Sequence, residues 1–384
     1  MFDSLVILGR QPALSLAELE SLFGAENIKP FGKESAQLKL PPTQIDFKRL
    51  GGSMKLCKVL TEIESQNWRE ISKFISDKIP NYISEIMPGK IKFGISVYGL
   101  RVSPNAVNAT GLEVKIVCKK INRSMRVVPN KEMELNSAQV LNNKLTDKLG
   151  LELVVATNGK KTIIAQTTNV QDIDAYAARD QQRPARDARV GMLPPKLAQI
   201  ILNMAQVKSG DKLLDPFCGT GVILQEALLM GCCAYGTDLE PRMIEYSLKN
   251  LTWLIGPASH ELAVGDATNF TWQNFDAVAC ETFLGRPFST EPNPDKLREV
   301  IQDANTIHRK FLKNIASQAK SRTRMCIAVP AWFTKSGVKR LPVLDQLTDM
   351  GYTRISFVHS NIKDLVYHRE GQIVGRELVV LIRN

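Results

Sequence analysis

The chain has 384 residues, 44% hydrophobic and 23% charged, which is too much for one ordinary core and implies two or three domains. No apolar run approaches the roughly 20 residues of a bilayer span, and Asp3 and Arg10 spoil the start as a secretory leader; seven cysteines in no C-x-x-C spacing argue against a disulfide frame or zinc site, so a soluble cytoplasmic protein with reduced thiols is expected. The net charge of +11 is uneven: residues 1–170 hold 24 Lys and Arg against 16 Asp and Glu, the remainder 26 against 23, so a basic half that attracts a polyanion precedes a near-neutral half.

The first segment, 1–53, reads as a small α+β unit. "SLVILG" is a strand and "PALSLAELESLFG" a helix, with Ser15 and Glu18 spaced as a capping box and Gly24 as its stop. "AQLKL" is a second strand, broken by Pro41–Pro42. Between 54 and 168 the pattern recurs on a larger scale. "MKLCKVLTEI" and "IKFGISVYGL" alternate like strands, and "NWREISKFISDKI" has helical spacing with Asn67 as cap. A helix is expected from Ala109 to Ile121, carrying Lys115, Lys119 and Lys120, then a strand "SMRVVP" and a helix running to Gly150. "LELVVATNGKKTIIAQTT" is a hairpin turning at Asn158–Gly159. The basic stretch "CKKINRSMR" reads first as a solvated helix face and second as a surface for nucleic acid.

Residues 169–190 are poor in large apolar side chains and carry Arg179, Arg183, Arg186 and Arg189, as a linker draped over its neighbours would. From 191 to 384, strands and helices alternate, which implies a doubly wound, mostly parallel sheet with one antiparallel strand at its edge.

The sharpest signal is "LLDPFCGTG", residues 213–221: an apolar strand ending in Asp215, a turn with Gly219 and Gly221, then a helix. Glycines in such a turn let main-chain amides approach a ligand at the helix N-terminus. The turn lacks the G-K-[ST] of a phosphate loop and the third glycine of a dinucleotide site. Its acid would repel phosphate and suits the ammonium of an amino-acid moiety. The next strand ends at Asp238, placed to accept from ribose hydroxyls, and the third leads to Asp266, placed to accept from an adenine amine. Three successive acidic strand ends fit S-adenosylmethionine, although one such Asp alone would be no more than a helix cap.

These motifs, with "GTDLEP" and "VGDAT", resemble the Rossmann-like methyltransferases of exocyclic amines. Upstream, "FGISVYGLRVSPNA" with "NSAQVLNNKL" resembles a THUMP RNA-binding domain, and 1–53 is then its ferredoxin-like N-terminal segment. The stretch "QDIDAYAARDQQRPARDARVGMLPPKLAQIILNMA" resembles the linker and first helix of the archaeal and eukaryotic tRNA (guanine-N2) methyltransferases acting on guanosine 10. The resemblance covers most of the chain. It implies S-adenosyl-L-methionine as cofactor, structured RNA, foremost tRNA, as substrate, no membrane partner and no metal, and it leaves room for a small activating protein subunit. It assigns cofactor contacts to Asp215, Pro216, Phe217, Gly219, Gly221, Asp238, Leu239, Asp266 and Ala267, with Leu193 and Pro194 against the methionine portion.

In that family the fourth strand ends D-P-P-Y or N-P-P-Y, whose acid or amide and a neighbouring backbone carbonyl accept from the target amine while the aromatic stacks on the flipped base. Holding both N–H groups aims the lone pair of a conjugated, weakly nucleophilic amine at the methyl group. This chain has "CETFLG" instead, with neither proline. The best register makes Glu281 the acid and Phe283 the stacking ring, with Gly285 closing the turn; another puts Leu284 opposite the aromatic and leaves Phe283 without a role. Two other readings stand beside tRNA methylation: the same amino-methyl transfer on rRNA or on adenine or cytosine of DNA, and a non-catalytic RNA-binding protein that retains the fold. His260, His308, His359 and His368 have no partner spacing for metal or nucleophile and read as structural, and Arg369 and Arg376 read equally as phosphate contacts or as a solvated hairpin.

Overall fold

The structure, a computed structural model, describes residues 2–84, 86, 88–187, 192–256, 260–286, 288 and 290–384. Arg189 and the expected boundary at 190/191 lie outside the described residues. The chain divides into two compact units, one of Met1–Pro12, Gly24–Lys48 and Ser53–Ile173, the other of Ala13–Phe23, Arg49–Gly52 and Asp174–Asn384.

The first unit is built on one eight-stranded sheet. Its strands are β1 (Ser4–Leu8), β2 (Ile28–Phe31), β3 (Ser35–Leu38), β4 (Ser53–Ile63), β5 (Ile91–Tyr98), β6 (Met125–Val127), β7 (Gly150–Thr157) and β8 (Thr162–Val170), in the order β2-β3-β1-β4-β8-β7-β5-β6. Because β1 pairs antiparallel with β4, the sheet crosses the expected boundary at 53/54. Helix α1 (Pro12–Phe23), which links β1 to β2 along the chain, belongs from Ala13 onward to the second unit.

Helices α2 (Trp68–Ser84) and α3 (Pro104–Lys120) cover the sheet, with the short α4 (Ser137–Asn142) after them. Ile71, Ile75 and Ile79 of α2 recur every four residues and pack with Val107 and Val114 of α3 against Phe93 and Leu153. Asn67 caps α2 by accepting from the Arg69 amide at 2.9 Å. Helix α3 starts five residues before the expected Ala109, since Ser103 caps it and Pro104 fills its first position. The helix expected to reach Gly150 ends at Asn142, and Lys144 just beyond takes a left-handed conformation (φ +54°). The β7–β8 hairpin turns on Asn158, whose Oδ1 accepts from the Lys160 and Lys161 amides, and on left-handed Gly159 (φ +89°).

In the second unit come helices α5 (Ile173–Gln181), from Asp174 onward, and α6 (Pro195–Met204), then β9 (Lys212–Asp215), α7 (Val222–Leu229), β10 (Cys233–Asp238), α8 (Pro241–Ile255) and β11 (His260–Val264). They are followed by β12 (Ala277–Glu281), α9 (Pro294–Ala316), β13 (Arg324–Thr334), β14 (Gly337–Lys339), β15 (Tyr352–Arg354), β16 (Val366–Tyr367) and β17 (Val374–Arg383). The sheet order is β11-β10-β9-β12-β13-β17-β15. The strands from β11 to β13 are parallel, and β17 runs antiparallel to both β13 and β15, one place in from the edge where the alternation alone would set it.

Alternate residues build the two cores. Leu213, Ala277, Ala279, Cys326 and Ala328 face a cluster with α6 and α7, while Leu214, Val278, Cys280, Met325 and Ile327 face α9. Ser15 and Glu18 do not form the expected capping box. Helix α1 starts at Pro12, which leaves both residues inside it and buried, and the Glu18 carboxylate accepts instead from the Gly51 and Gly52 amides at 2.9 and 2.8 Å and from Asn203 Nδ2 at 2.7 Å. Buried main-chain amides require an acceptor, and Glu18 supplies one. Among the described residues no helix is long and apolar enough to cross a membrane.

Candidate active site

The sheet changes winding direction between β9 and β12, and in doubly wound folds the crevice at the carboxyl ends of such strands takes the ligand. Asp215 ends β9 there, fully buried, and its Oδ1 accepts from the Phe217 amide at 3.1 Å. Burial pushes its carboxyl well above the usual range, and the neighbouring charges of Asp238 and Glu281 push it further. Three acids from three strands therefore share one rim, and Asp215 is poised to gain from a cation.

Beyond Asp215 the chain turns through Gly219 (φ +51°) and Gly221 (φ +82°), the latter capping α7. A Cβ at Gly219 would meet nothing nearer than the Phe217 carbonyl oxygen at 4.0 Å, so the turn opens to a ligand on that side. At Gly221 a Cβ would lie 2.9 Å from Ser247 Oγ, so that glycine serves the approach of α8. Helix α8 braces the turn from behind: Ser247 Oγ donates to the Gly219 carbonyl at 2.8 Å, and Asn250 Nδ2 to the Thr220 carbonyl at 2.9 Å. Asn250 also exchanges two hydrogen bonds with the main chain of Ala185, and Asp187 pairs with Arg242 of α8 at 2.8 Å. The segment following α5 is thus tied to the turn.

Asp238 ends β10. Its Oδ2 accepts from the Gly219 amide at 2.9 Å and its Oδ1 from the Glu240 amide at 3.0 Å, and burial raises its carboxyl. The next tip joins it, since the Gly265 amide donates to the Asp238 carbonyl at 2.9 Å. Asp266 Oδ1 accepts from the Thr268 amide at 2.8 Å, and Ala267 is buried beneath. Leu239, beside Asp238, is 64% exposed, an apolar side chain left standing at the rim. Pro216 is buried, and Phe217 packs edge-on against Phe311 of α9 at 5.0 Å. Leu193 lies in the core cluster that contains Val222, the first residue of α7, and Pro194 caps α6.

Glu281 is the last residue of β12, and its carboxylate pairs with the guanidinium of Arg376 on β17. Burial raises the Glu281 carboxyl, and the charge and hydrogen bond of Arg376 pull it back. Thr282 is buried, and Phe283 follows with 39% of its surface exposed. Gly285 takes φ +82°, as a closing turn requires. An exposed ring thus stands beside a half-buried acid at the mouth that Asp215 and Asp238 share.

The sequence reading left Arg376 between a phosphate contact and a solvated hairpin and did not foresee its pairing with Glu281. It is 7% exposed and engaged with Glu281, not a solvated hairpin residue or a free phosphate contact. Its signal was faint: every residue from Gly375 to Leu381 is buried, so the strand shows no alternation, and its partner is 95 residues away. Among the described residues no group of His, Cys, Asp and Glu is arranged to hold a metal.

Comparison with known proteins agrees with this geometry. Residues 183–332 match the model of the UPF0020 family, described as an RMKL-like methyltransferase domain. Over 141 residues the chain is 34% identical to the tRNA (guanine(10)-N2)-dimethyltransferase of Methanothermobacter thermautotrophicus, covering 36% of this chain and 39% of that protein. Over 188 residues it is 29% identical to the protein of the same name from Pyrococcus abyssi, covering 47% and 50%. The chain thus matches half or less of the length of these relatives. Among solved structures, TrmN from Thermus thermophilus aligns over 99% of both chains at 14% identity and a TM-score of 0.54. SMU.472, solved in complex with SAH, aligns over 99% of this chain and 97% of its own at 11% identity and a TM-score of 0.54.

The fold is accordingly that of the Rossmann-like S-adenosylmethionine-dependent methyltransferases with an additional N-terminal unit. Within it, the match to the UPF0020 methyltransferase domain model falls on residues 183–332.

Proposed function

We propose that the protein is an S-adenosylmethionine-dependent tRNA methyltransferase acting on the exocyclic N2 of guanine. The observation that carries this reading is the mouth of the second unit, where half-buried Glu281 and exposed Phe283 stand at the tip beside Asp215 and Asp238. The residues present fit the cofactor. Asp215, short of a counter-charge, would hold the ammonium; the open side of Gly219 leaves room for the amino-acid portion; Asp238 would accept from the ribose hydroxyls, and Asp266 from the adenine amine. Leu239, Ala267, Pro216, Phe217, Gly221, Leu193 and Pro194 would line or support that site. The bound cofactor supplies an electrophilic methyl group.

Glu281 would accept from the target amine through the carboxylate oxygen that Arg376 leaves free, and Phe283 would stack on a base swung out of its helix. Holding the amine so directs its lone pair at the methyl, and positioning of this kind supplies a large share of the rate. The names of the curated relatives support guanine N2 and tRNA.

We assign RNA binding to the THUMP-like residues 54–168. Helix α3 exposes Lys115, Lys119 and Lys120, and Lys90, Lys92, Lys144 and Lys148 line a groove of about 600 Å³. Such surfaces suit phosphate contacts to folded RNA. The seven free cysteines support a reducing, cytoplasmic setting.

The test is incubation of the purified protein with unmodified tRNA transcript and radiolabelled S-adenosylmethionine, followed by nucleoside analysis. Label is expected in N2-methylated guanosine; label elsewhere would overturn the substrate, and no label would overturn the activity. Glu281→Ala is expected to abolish transfer while leaving cofactor affinity within about threefold, since the carboxylate acts on the amine. Parallel loss of both would sink the role given to Glu281.

A further inference from the structure

The tip that carries Glu281 and Phe283 lacks the two prolines that stiffen the related motif, yet it is tied down. The Thr282 amide donates to the Ala328 carbonyl at 3.0 Å, extending the β12–β13 pairing one residue past Glu281. The Thr282 hydroxyl lies 2.7 Å from Nε2 of His308, on α9, and 2.9 Å from the Ala328 carbonyl oxygen. Nδ1 of His308 lies 2.7 Å from the Ala304 carbonyl oxygen. Both side chains are buried, His308 at 1% exposure.

The protons can be placed by elimination. A carbonyl oxygen only accepts, so Nδ1 of His308 carries the hydrogen toward Ala304. Burial holds the imidazole neutral, with a pKa lowered to about 4, so Nε2 is a bare acceptor. A bare buried acceptor requires a donor; the one Thr282 hydroxyl hydrogen has Nε2 and the Ala328 carbonyl in reach, and that carbonyl already accepts from the Thr282 amide, so the hydrogen goes to Nε2. The chain of bonds therefore runs from Thr282 Oγ1–H to His308 Nε2, and from His308 Nδ1–H to the Ala304 carbonyl. It fixes one rotamer of a β-branched residue that stands between the acid and the aromatic ring.

We infer that Thr282 and His308 form a hydrogen-bonded lock that positions Glu281 and Phe283 for the base, replacing with side-chain bonds the rigidity that prolines provide in the related motif. Arg376 holds the acid from the β17 side, and His308 holds the next residue from the α9 side. Neither lock residue touches the reacting atoms; both are positioning residues, and the inference rests on the methyl-transfer reading above.

The experiment pairs Thr282→Val, which keeps the branched shape without the hydroxyl, with Thr282→Ser, which keeps the hydroxyl. With tRNA transcript as substrate, Thr282→Val is expected to lower kcat by about 10- to 100-fold, the cost of a misplaced reacting group, while the Kd for S-adenosylmethionine stays within about twofold. Thr282→Ser is expected to restore kcat to within about threefold of the parent. A parental kcat in Thr282→Val would overturn the inference, as would a loss that Thr282→Ser fails to restore. Nitrogen-15 NMR of the imidazoles reads the lock without activity. His308 is expected as the neutral Nδ1–H tautomer, with an Nε2 resonance that moves in Thr282→Val; an Nε2–H tautomer, or an unmoved resonance, would overturn the lock. Should the parent transfer no methyl group, the functional reading fails, and with it the positioning role, while the NMR result still decides whether the lock exists.

Discussion

Glu281 sits under two opposed influences, burial that favours the neutral carboxyl and Arg376 that favours the carboxylate. Only the ionised form accepts at both oxygens, one for Arg376 and one for the amine of the proposed reaction, so Arg376 favours the form that reading requires. Replacing the guanidinium with an apolar chain leaves burial unopposed. Arg376→Met is therefore expected to move the acid limb of the kcat/KM profile to higher pH, which reports the free enzyme's group. Lost activity with an unmoved acid limb would assign Arg376 a purely structural role. His308 makes a separate, global contribution. Its folded-state pKa, about 4, lies below the ordinary 6.5, so the unfolded chain takes up the proton first on acidification. Stability is thus fully present above pH 6.5 and is lost as pH falls toward 4. Between pH 7.5 and 5 the loss is about 2 kcal/mol, read by urea unfolding as the parent's pH dependence in excess of that of His308→Leu. Equal pH dependence in the two proteins would mean that the imidazole is charged or exposed in the fold.

At the scale of elements, helix α8 does more for the glycine turn than α7, which grows out of it. Asn250 and Ser247 of α8 hold the Thr220 and Gly219 carbonyls, and Asn250 also holds Ala185. Asn250→Ala would leave buried main-chain groups without partners, at a cost of about 2 kcal/mol. It should lower the melting temperature and weaken S-adenosylhomocysteine binding several-fold by calorimetry; intact binding would show that the turn holds its own shape. The turn itself was legible in the sequence, because strand, acid and glycines are consecutive and local rules govern them. The strand tips at Asp215, Asp238 and Glu281 were legible for the same reason, each closing one apolar run, and the charges of Asp238 and Glu281 reach Asp215; Asp266, read as the third acidic tip of the cofactor site, stands two residues beyond the end of β11. Contacts made across the fold were not legible. Arg376 meets Glu281 over 95 residues and His308 meets Thr282 over 26, and neither separation leaves a periodic trace. The pairing of β1 with β4 likewise depends on sheet order, which a strand pattern does not specify. The Ser15–Glu18 spacing misled because Pro12 starts the helix earlier and a loop 33 residues away needed the acceptor.

The molecule as a whole carries +11, most of it before residue 171, while the three rim acids lie in the second unit. On the proposed function, a polyanion and a cofactor with a cationic ammonium end would be drawn to different parts of one chain. Phosphate contacts release condensed counterions, so RNA affinity should fall steeply with salt, by about 0.7 to 0.9 in the log–log slope for each phosphate neutralised. Cofactor binding, made of hydrogen bonds and one enclosed charge pair, should depend on salt only weakly. Lys90 and Lys148 line the basic groove of the first unit, and both are exposed. The variant with Lys90→Ala and Lys148→Ala is expected to lower the magnitude of the salt slope for tRNA by about 1.5 while the Kd for S-adenosylmethionine stays unchanged. Filter binding across a salt series measures the first quantity, and calorimetry the second. An unchanged slope would move the RNA footprint away from this groove, and a parallel loss of cofactor affinity would mean that the substitutions disturbed the fold rather than the contact with phosphate.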